Sequence, residues 1–102
     1  MVNAPTKGGS KMKAEMETFY CDAESEKSEC EIIIRETELV VSYADDDGPV
    51  IYSGAKTEWG YVLTCPSRRG RATLHQSSEH QFEGSWTEGG YRGMWVIDVD
   101  DE

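Results

Sequence analysis

The sequence predicts an all-β domain: a small antiparallel meander of seven or eight short strands, closed or nearly closed into a barrel. Short runs with alternating apolar residues recur at roughly ten-residue intervals, separated by turn residues. The links between these runs are short, which favours antiparallel neighbours. Near the C-terminus, two tryptophans and two glycines are spaced to interlock across a hairpin. A two-sheet sandwich is the alternative architecture.

The predicted strands follow one another along the chain from residue 15. The segment 30–44 is rich in isoleucine and valine, whose β-branched side chains disfavour a helix. Residues 36–38 are only a weak turn signal, so the two apolar runs within 30–44 form either two strands or one bent strand. Strong turn signals lie at 45–49 and 66–70. The strands are 15–22, 30–35, 39–44, 50–54, 59–65 and 71–76, followed by a hairpin at 81–99.

The C-terminal hairpin carries the strongest structural signal. Gly89-Gly90 suits a two-residue turn in which both central residues need positive φ. Counting outward predicts that each large ring covers a position that lacks a side chain. A slip of one residue would move the apolar set to the opposite face, so the pattern specifies its own register. The predicted pairs are Trp86 with Gly93, Gly84 with Trp95, and Phe82 with Ile97.

The segments Gly84-Ser85-Trp86 and Gly93-Met94-Trp95 resemble the strands of up-and-down barrels of the lipocalin and avidin class. The resemblance covers residues 82–97 and implies a barrel that binds a small ligand, which is our alternative function. Side chains fill most of the interior of an eight-stranded barrel, so such a site would lie in a small cavity or at the barrel mouth. Its expected lining is Tyr20, Tyr43, Tyr52, Trp59 and Tyr61.

The 102 residues correspond to one domain. We expect residues 1–13 to be a disordered arm or expression remnant, 14–99 to be the all-β domain, and 100–102 to be an acidic tail. No secretory signal and no membrane-spanning apolar run is visible, which indicates a cytoplasmic protein.

The three cysteines, Cys21, Cys30 and Cys65, favour free thiols in a reducing compartment. We expect each to be a small buried apolar residue. A disulfide between Cys21 and Cys30 across the first hairpin is the alternative. Their spacing does not match a zinc site.

Other residues with chemical potential do not form a recognised motif. Asp45-Asp46-Asp47-Gly48 lacks the alternating ligands of a calcium loop, and Lys56 occupies its twelfth position. His75 and His80 flank four polar residues and, if these form a four-residue loop, would face each other as two ligands, whereas zinc usually takes three or four. No catalytic signature is present. The sequence therefore predicts no enzyme activity, no metal and no cofactor.

The net charge of −10 is the main functional signal. It is concentrated in residues 22–47, while Arg68, Arg69 and Arg71 form a basic spot. This distribution repels nucleic acid and anionic lipid and attracts a basic protein. The competing interpretation of the acidic residues is that they keep the protein soluble. The competing interpretation of the arginines is that they form ion pairs within the chain.

In size and charge the chain resembles small acidic phage inhibitors of the anti-CRISPR and anti-restriction type. The resemblance implies an inhibitor whose carboxylates bind a basic, nucleic-acid-handling partner protein. The predicted partner-binding residues are Asp22, Glu24, Glu26, Glu36, Glu38, Asp45, Asp46, Asp47, Arg68 and Arg69.

Overall fold

The computed structural model describes residues 10–21 and 24–100, and it confirms the predicted barrel. Eight antiparallel strands follow in chain order around one closed sheet. The sandwich alternative is therefore wrong. The strands are β1 Ser10–Tyr20, β2 Glu26–Ile34, β3 Glu38–Asp45, β4 Gly48–Thr57, β5 Gly60–Cys65, β6 Gly70–Ser78, β7 Gln81–Glu88 and β8 Tyr91–Val99.

Pairing of the first strand with the last closes the sheet. Residues 14–20 of β1 pair with residues 93–99 of β8, while residues 10–18 of β1 pair with residues 26–34 of β2. Closure gives both strands partners along most of their length, so neither is left as the edge strand of an open sheet. It also brings residues near the two ends of the chain onto one outer surface.

Alternate residues of each strand point into the barrel and fill it. Tyr52, Phe82 and Ile97 are fully buried, and Tyr61 is 6% exposed. These inward residues come from strands with simple alternation, so burial follows the two-residue period of the pleat.

The hairpin prediction is confirmed in register. Trp86 pairs with Gly93, Gly84 with Trp95, and Phe82 with Ile97. Gly89 and Gly90 adopt φ values of 59° and 97°, as the turn requires.

A neighbouring backbone limits both strand glycines of this hairpin, and an indole covers one of them as well. A Cβ at Gly93 would lie 2.0 Å from the backbone oxygen of Phe19 and 2.7 Å from Cζ2 of Trp86, so the indole covers that position as expected. A Cβ at Gly84 would meet the backbone oxygen of Thr73 on β6. Close approach of two backbones, rather than cover by Trp95, therefore limits that site.

Strand boundaries differ from the predictions in three places. β1 begins at Ser10, so residues 10–13 belong to the barrel and not to the arm, and Met12 packs against the core. β2 begins at Glu26, within the segment predicted as a loop. Trp59 lies in the turn before β5 and is 83% exposed, so it is not part of the strand predicted to begin there.

Residues 30–44 form two strands and not one bent strand, because Ile34 pairs with Leu39 across a reversal of the chain. The turn predicted at 45–49 is tight: Asp45 pairs with Gly48, and Oδ1 of Asp45 accepts the backbone N–H of Asp47 at 2.9 Å. The loop predicted at 66–70 contains a 3₁₀ turn, Pro66–Arg68.

In an up-and-down barrel, successive links lie at alternate ends. The links β1–β2, β3–β4, β5–β6 and β7–β8 lie at one end, which we call the upper end. The lower end carries the links β2–β3, β4–β5 and β6–β7. Whether two acidic segments lie at the same end of the barrel therefore depends on which links carry them.

Candidate functional site

The barrel places most of the predicted partner-binding residues at the upper end. The links there carry Glu24, Glu26 and the aspartates 45–47 on the acidic side, and Arg68 with Arg69 on the basic side. The upper end thus carries one acidic segment from each of two hairpins, together with the arginine-bearing turn. Asp22 lies outside the described residues.

Glu36 and Glu38 lie at the opposite, lower end. Both belong to the β2–β3 connection region, and the Glu38 carboxylate accepts a hydrogen bond from Arg35 at 2.6 Å. The sequence could not separate them from the other acids, because the separation depends on whether a strand runs up or down. One surface cannot include both sets.

Arg68 is bound within the protein. Its two terminal nitrogens donate to the two carboxylate oxygens of Asp45 at 2.9 and 3.0 Å, and one of them lies 3.7 Å from Glu88. This fork-to-fork geometry is the strong form of an ion pair. The hydrogen-bonded guanidinium lowers the pKa of Asp45 to about 2. The ion-pair interpretation therefore applies to Arg68, which joins the β3–β4 and β5–β6 links.

Glu88 continues this network into the core. Its carboxylate accepts a hydrogen bond from the Tyr52 hydroxyl at 2.5 Å. Burial, followed by the bond to Glu88, raises the pKa of Tyr52 above its usual range. The chain Tyr52, Glu88, Arg68, Asp45 therefore runs from the barrel interior to the upper rim and fixes the geometry of that end.

Arg69 is held differently from Arg68. It adopts a left-handed conformation with φ of 52°, and its carbonyl accepts the Gly89 N–H at 3.4 Å. The Arg69 side chain is exposed. Of the two predicted arginines, Arg69 is therefore the one whose charge faces solvent.

The pairing between β2 and β3 stops short of the upper end. It extends only to Glu31 and Ser42, although β1 continues alongside β2 to Glu26 and β4 continues alongside β3 to Asp45. We call this gap the seam. Along it, one backbone edge of each strand has no strand partner.

On the outer side of the seam lies a groove of about 710 Å³. Glu15, Glu29 and Glu31 contribute carboxylates on one side of it, where Lys13 also lies and Lys11 is 3.4 Å from Glu31. Ile51, 54% exposed, contributes an apolar side chain on the other side. An exposed isoleucine beside carboxylates is a surface suited to a partner that is both basic and partly apolar.

Three carboxylates form a row next to this groove. Glu15 on β1 pairs directly with Asp98 on β8 and with Glu29 on β2, and all three side chains are exposed. We call these three residues the carboxylate row. Lys13 and Lys27 lie diagonally from it, and Gln81 donates to Asp98 at 2.8 Å. Like charges in directly paired positions destabilise a sheet.

Sequence reasoning missed the carboxylate row because its members are distant in the chain. Among the predicted elements, Asp98 stands next to the acidic tail, and Glu15 is the first residue of the first strand. The alternation of outward residues on β1, β2 and β8 is visible in the sequence. Only closure of the barrel brings β8 alongside β1 and aligns the three side chains.

On the inner side of the seam, at the barrel mouth, lies a cavity of about 340 Å³. The predicted ligand-binding residues divide around it. Tyr20 and Tyr43 line this cavity, whereas Tyr52 and Tyr61 are buried in the core. Trp86, Trp95 and Tyr91 complete its aromatic lining and were not predicted to do so.

The cysteines do not form the alternative disulfide. Cys21 is exposed at the end of β1, so the expectation of burial is wrong for this residue, whereas Cys30 and Cys65 are buried, and all three are free. Burial, reinforced by the nearby Glu31 charge, raises the pKa of the Cys30 thiol to about 12. The two buried thiols therefore act as apolar core residues.

No cluster of three or more histidine, cysteine or carboxylate residues suited to a metal ion occurs within residues 10–21 and 24–100. His75 does not face His80 across a loop, because β6 extends to Ser78 and pairs His75 with Glu83. Within the same residues, no helix is long and apolar enough to cross a lipid bilayer.

A comparison with protein-family models finds no match to this chain, and a search of the curated proteins finds no similar sequence.

Proposed function

We propose that this protein is an acidic binding module that engages a basic partner protein, as an inhibitor of a nucleic-acid-handling enzyme. The observation that carries the proposal is the carboxylate row, Asp98, Glu15 and Glu29, which lies beside the outer groove. The net charge of −10 makes the whole molecule attractive to a basic surface at long range.

The carboxylate row supports a binding role because its arrangement costs stability. Paired strands lie about 4.8 Å apart, so the three negative charges follow one another at close intervals without a cation in directly paired positions. Repulsion between such neighbours opposes folding. A partner that places lysines or arginines opposite the row would relieve the repulsion, and binding would be favoured accordingly.

The same geometry favours a partner that normally binds nucleic acid. Phosphates along one DNA strand follow every ~3.4 Å of helix axis, and a channel that binds them carries closely spaced basic side chains. A row of carboxylates at about 5 Å intervals is compatible with such a channel. This is the physical basis for an inhibitor of the anti-CRISPR or anti-restriction type.

The upper end extends the acidic surface beyond the row. β2 leads from Glu29 up to Glu26 and Glu24, and the β3–β4 turn adds Asp46 and Asp47. Long-range attraction from this surface would mainly accelerate association, while the row and the groove would determine the lifetime of the complex. Binding should therefore weaken steeply with added salt.

The experiment is a comparative pull-down from bacterial lysate at low salt, with mass spectrometry and three baits. The baits are the wild type, the row variant E15Q/E29Q/D98N, and the control E36Q/E58Q/E79Q. Both variants lose three exposed carboxylates, but those of the control lie in lower-end turns. The control also tests Glu36, one of the predicted partner-binding residues.

The expected partner satisfies three conditions. It is retained by the wild type and the control, it is lost from the row variant, and duplex DNA competes with its capture. Purified partner should then lose its activity on nucleic acid when the wild type is added. Captured proteins that bind all three baits equally, or that ignore competing DNA, would contradict the proposal.

A further inference from the structure

We infer that the cavity at the barrel mouth binds an organic cation, a guanidinium or substituted ammonium group. The cavity adjoins the outer groove, with which it shares Tyr43 and Ala44, and lies at the barrel end between β1, β2, β3, β7 and β8. Its volume of about 340 Å³ is at the small end of the range of ligand sites. Its walls combine aromatic rings with carboxylates.

The aromatic walls are arranged around the opening. Tyr20 contacts Trp86 edge to face, with ring centroids 5.9 Å apart, and Trp86 lies 6.3 Å from Trp95. Tyr43 meets Trp95 in a second edge-to-face contact at 6.3 Å. These contacts fix several rings around one space, and the faces of aromatic rings attract cations within about 6 Å of the ring centroid.

Tyr91 adds a ring whose position is unusual for its strand. It occupies the inward phase of β8, two residues before Gly93 and four before the buried Trp95, yet it is 76% exposed. An inward tyrosine at the rim that remains exposed leaves an apolar surface at the cavity entrance. A bound cation could lie against this ring as well as against the deeper ones.

The charge of the cavity selects a cation over a neutral or anionic ligand. Glu26, Asp45 and Glu88 line it, and among residues 10–21 and 24–100 no lysine or arginine does so. Arg68 approaches Asp45 and Glu88 from the β5–β6 turn and balances one of these charges. The Tyr20 hydroxyl donates to Glu26 at 3.4 Å. Three carboxylates against one guanidinium leave a surplus of two negative charges.

The aromatic lining also distinguishes an organic cation from a metal ion. A metal ion needs several oxygen, nitrogen or sulfur ligands converging at one point. No such group of ligands occurs in residues 10–21 and 24–100. A guanidinium or alkylammonium group instead gains from aromatic faces and needs only one carboxylate beside them. The shared chemistry fits either a free amine or a basic side chain of a partner protein.

Intrinsic fluorescence can report on this cavity directly. The chain has three tryptophans, of which Trp86 and Trp95 line the cavity and Trp59 is exposed at the lower end. In a W59F background, all tryptophan emission therefore comes from the cavity. The probes are N-acetyl-arginine amide, N-acetyl-lysine amide and tetramethylammonium, each titrated at constant ionic strength. N-acetyl-citrulline amide is the neutral match for arginine.

The expected result is a saturable change in emission with the cations and none with the citrulline compound. E26Q and Y91A should each weaken binding by about two- to fivefold, as expected for exposed ion pairs and cation–π contacts. E58Q, which removes an exposed lower-end carboxylate, should leave it unchanged. Tighter binding of the arginine or lysine amide indicates a partner's side chain as the source, and tighter binding of tetramethylammonium indicates a small free ammonium compound.

Absence of saturation with every cation, or an equal response to citrulline, would overturn the inference. Equal affinity of the wild type and of both cavity variants would do so too. The row variant E15Q/E29Q/D98N separates this inference from the proposed function. It should keep the fluorescence response even where partner capture is lost, because the row lies on the outer face and outside the cavity.

Discussion

Trp86 lies opposite Gly93 across the β7–β8 hairpin, and its indole ring occupies the space that a side chain at position 93 would need. The indole Nε1 also donates to the carbonyl of Met94 at 3.2 Å, which anchors the ring over the neighbouring strand. The indole of Trp86 thus packs directly on the backbone at Gly93. The same ring forms part of the wall of the upper cavity, so the hairpin links fold stability to the site.

Gly93→Ala should destabilise the barrel. The added methyl group would lie 2.0 Å from the Phe19 carbonyl oxygen and 2.7 Å from the Trp86 ring, so both must shift. We expect the free energy of unfolding to fall by about 1–3 kcal/mol, the usual cost of overpacking. Urea denaturation measures it. Ser85→Ala on the exposed face of β7 is the control, and an equal loss there would contradict the packing argument.

Tyr52→Phe should cost more stability than Tyr61→Phe. Both tyrosines are buried, but only the Tyr52 hydroxyl donates to a carboxylate, that of Glu88. Losing a hydrogen bond to a charged group costs about 1.5–3 kcal/mol. Tyr61 makes no side-chain hydrogen bond to the part of the chain that the structure describes. Chemical denaturation of both variants is the measurement, and equal losses would show that the Glu88 contact contributes little.

The Asp45–Arg68 pair predicts a specific pH dependence. The folded pKa of Asp45, about 2, lies below the unfolded value of ~3.9. The unfolded state therefore binds the proton more readily, and the pair stabilises the fold above about pH 4. This stabilisation should disappear as the pH falls from about 4 through 2.

The measurement is the stability difference between the wild type and Asp45→Asn as a function of pH. It should be largest near neutrality and vanish in acid. Asp46→Asn removes an adjacent exposed carboxylate that lacks the bidentate Arg68 contact, so its difference should stay small throughout. A wild-type advantage over Asp45→Asn that persists at pH 2 would contradict the assignment.

Glu15→Gln should leave the protein at least as stable as the wild type, because it removes the central charge of the carboxylate row. Relief of two like-charge contacts predicts a gain of about 0.2–1 kcal/mol. The gain should shrink at high salt, where exposed charges are screened. Glu58→Gln in a lower-end turn is the matched control. Thermal or urea unfolding of both variants at two salt concentrations provides the test, and a loss of stability in Glu15→Gln would contradict it.

Thiol reactivity should separate Cys21 from the other two cysteines. Cys21 is exposed, while Cys30 and Cys65 are buried and the pKa of Cys30 is raised to about 12. Because the thiolate is the reactive form, one thiol per chain of the native protein should react rapidly with a disulfide reagent. All three thiols should react when the protein is denatured. Cys21→Ser should abolish the rapid phase. Rapid labelling of more than one thiol in the native protein would contradict the burial of the others.

The amino-acid sequence by itself determined the strand periodicity, the register of the last hairpin and the acidic surplus. These are local properties: alternation along one strand, the positive φ of two glycines, and the sum of charges. The same local signals were too weak at residues 10–13, where Met12 is the single apolar side chain, and at residues 26–29, which have none. These segments form strands because they pair with neighbouring strands.

Only the tertiary structure decided which charged residues share a surface. Strand direction sends Glu36 and Glu38 to the lower end and the aspartates 45–47 to the upper end. Closure of the barrel places Asp98 beside Glu15, although 83 positions separate them along the chain. The side-chain packing that binds Arg68 to Asp45 and leaves Tyr91 exposed likewise depends on contacts between distant strands, which no local pattern specifies.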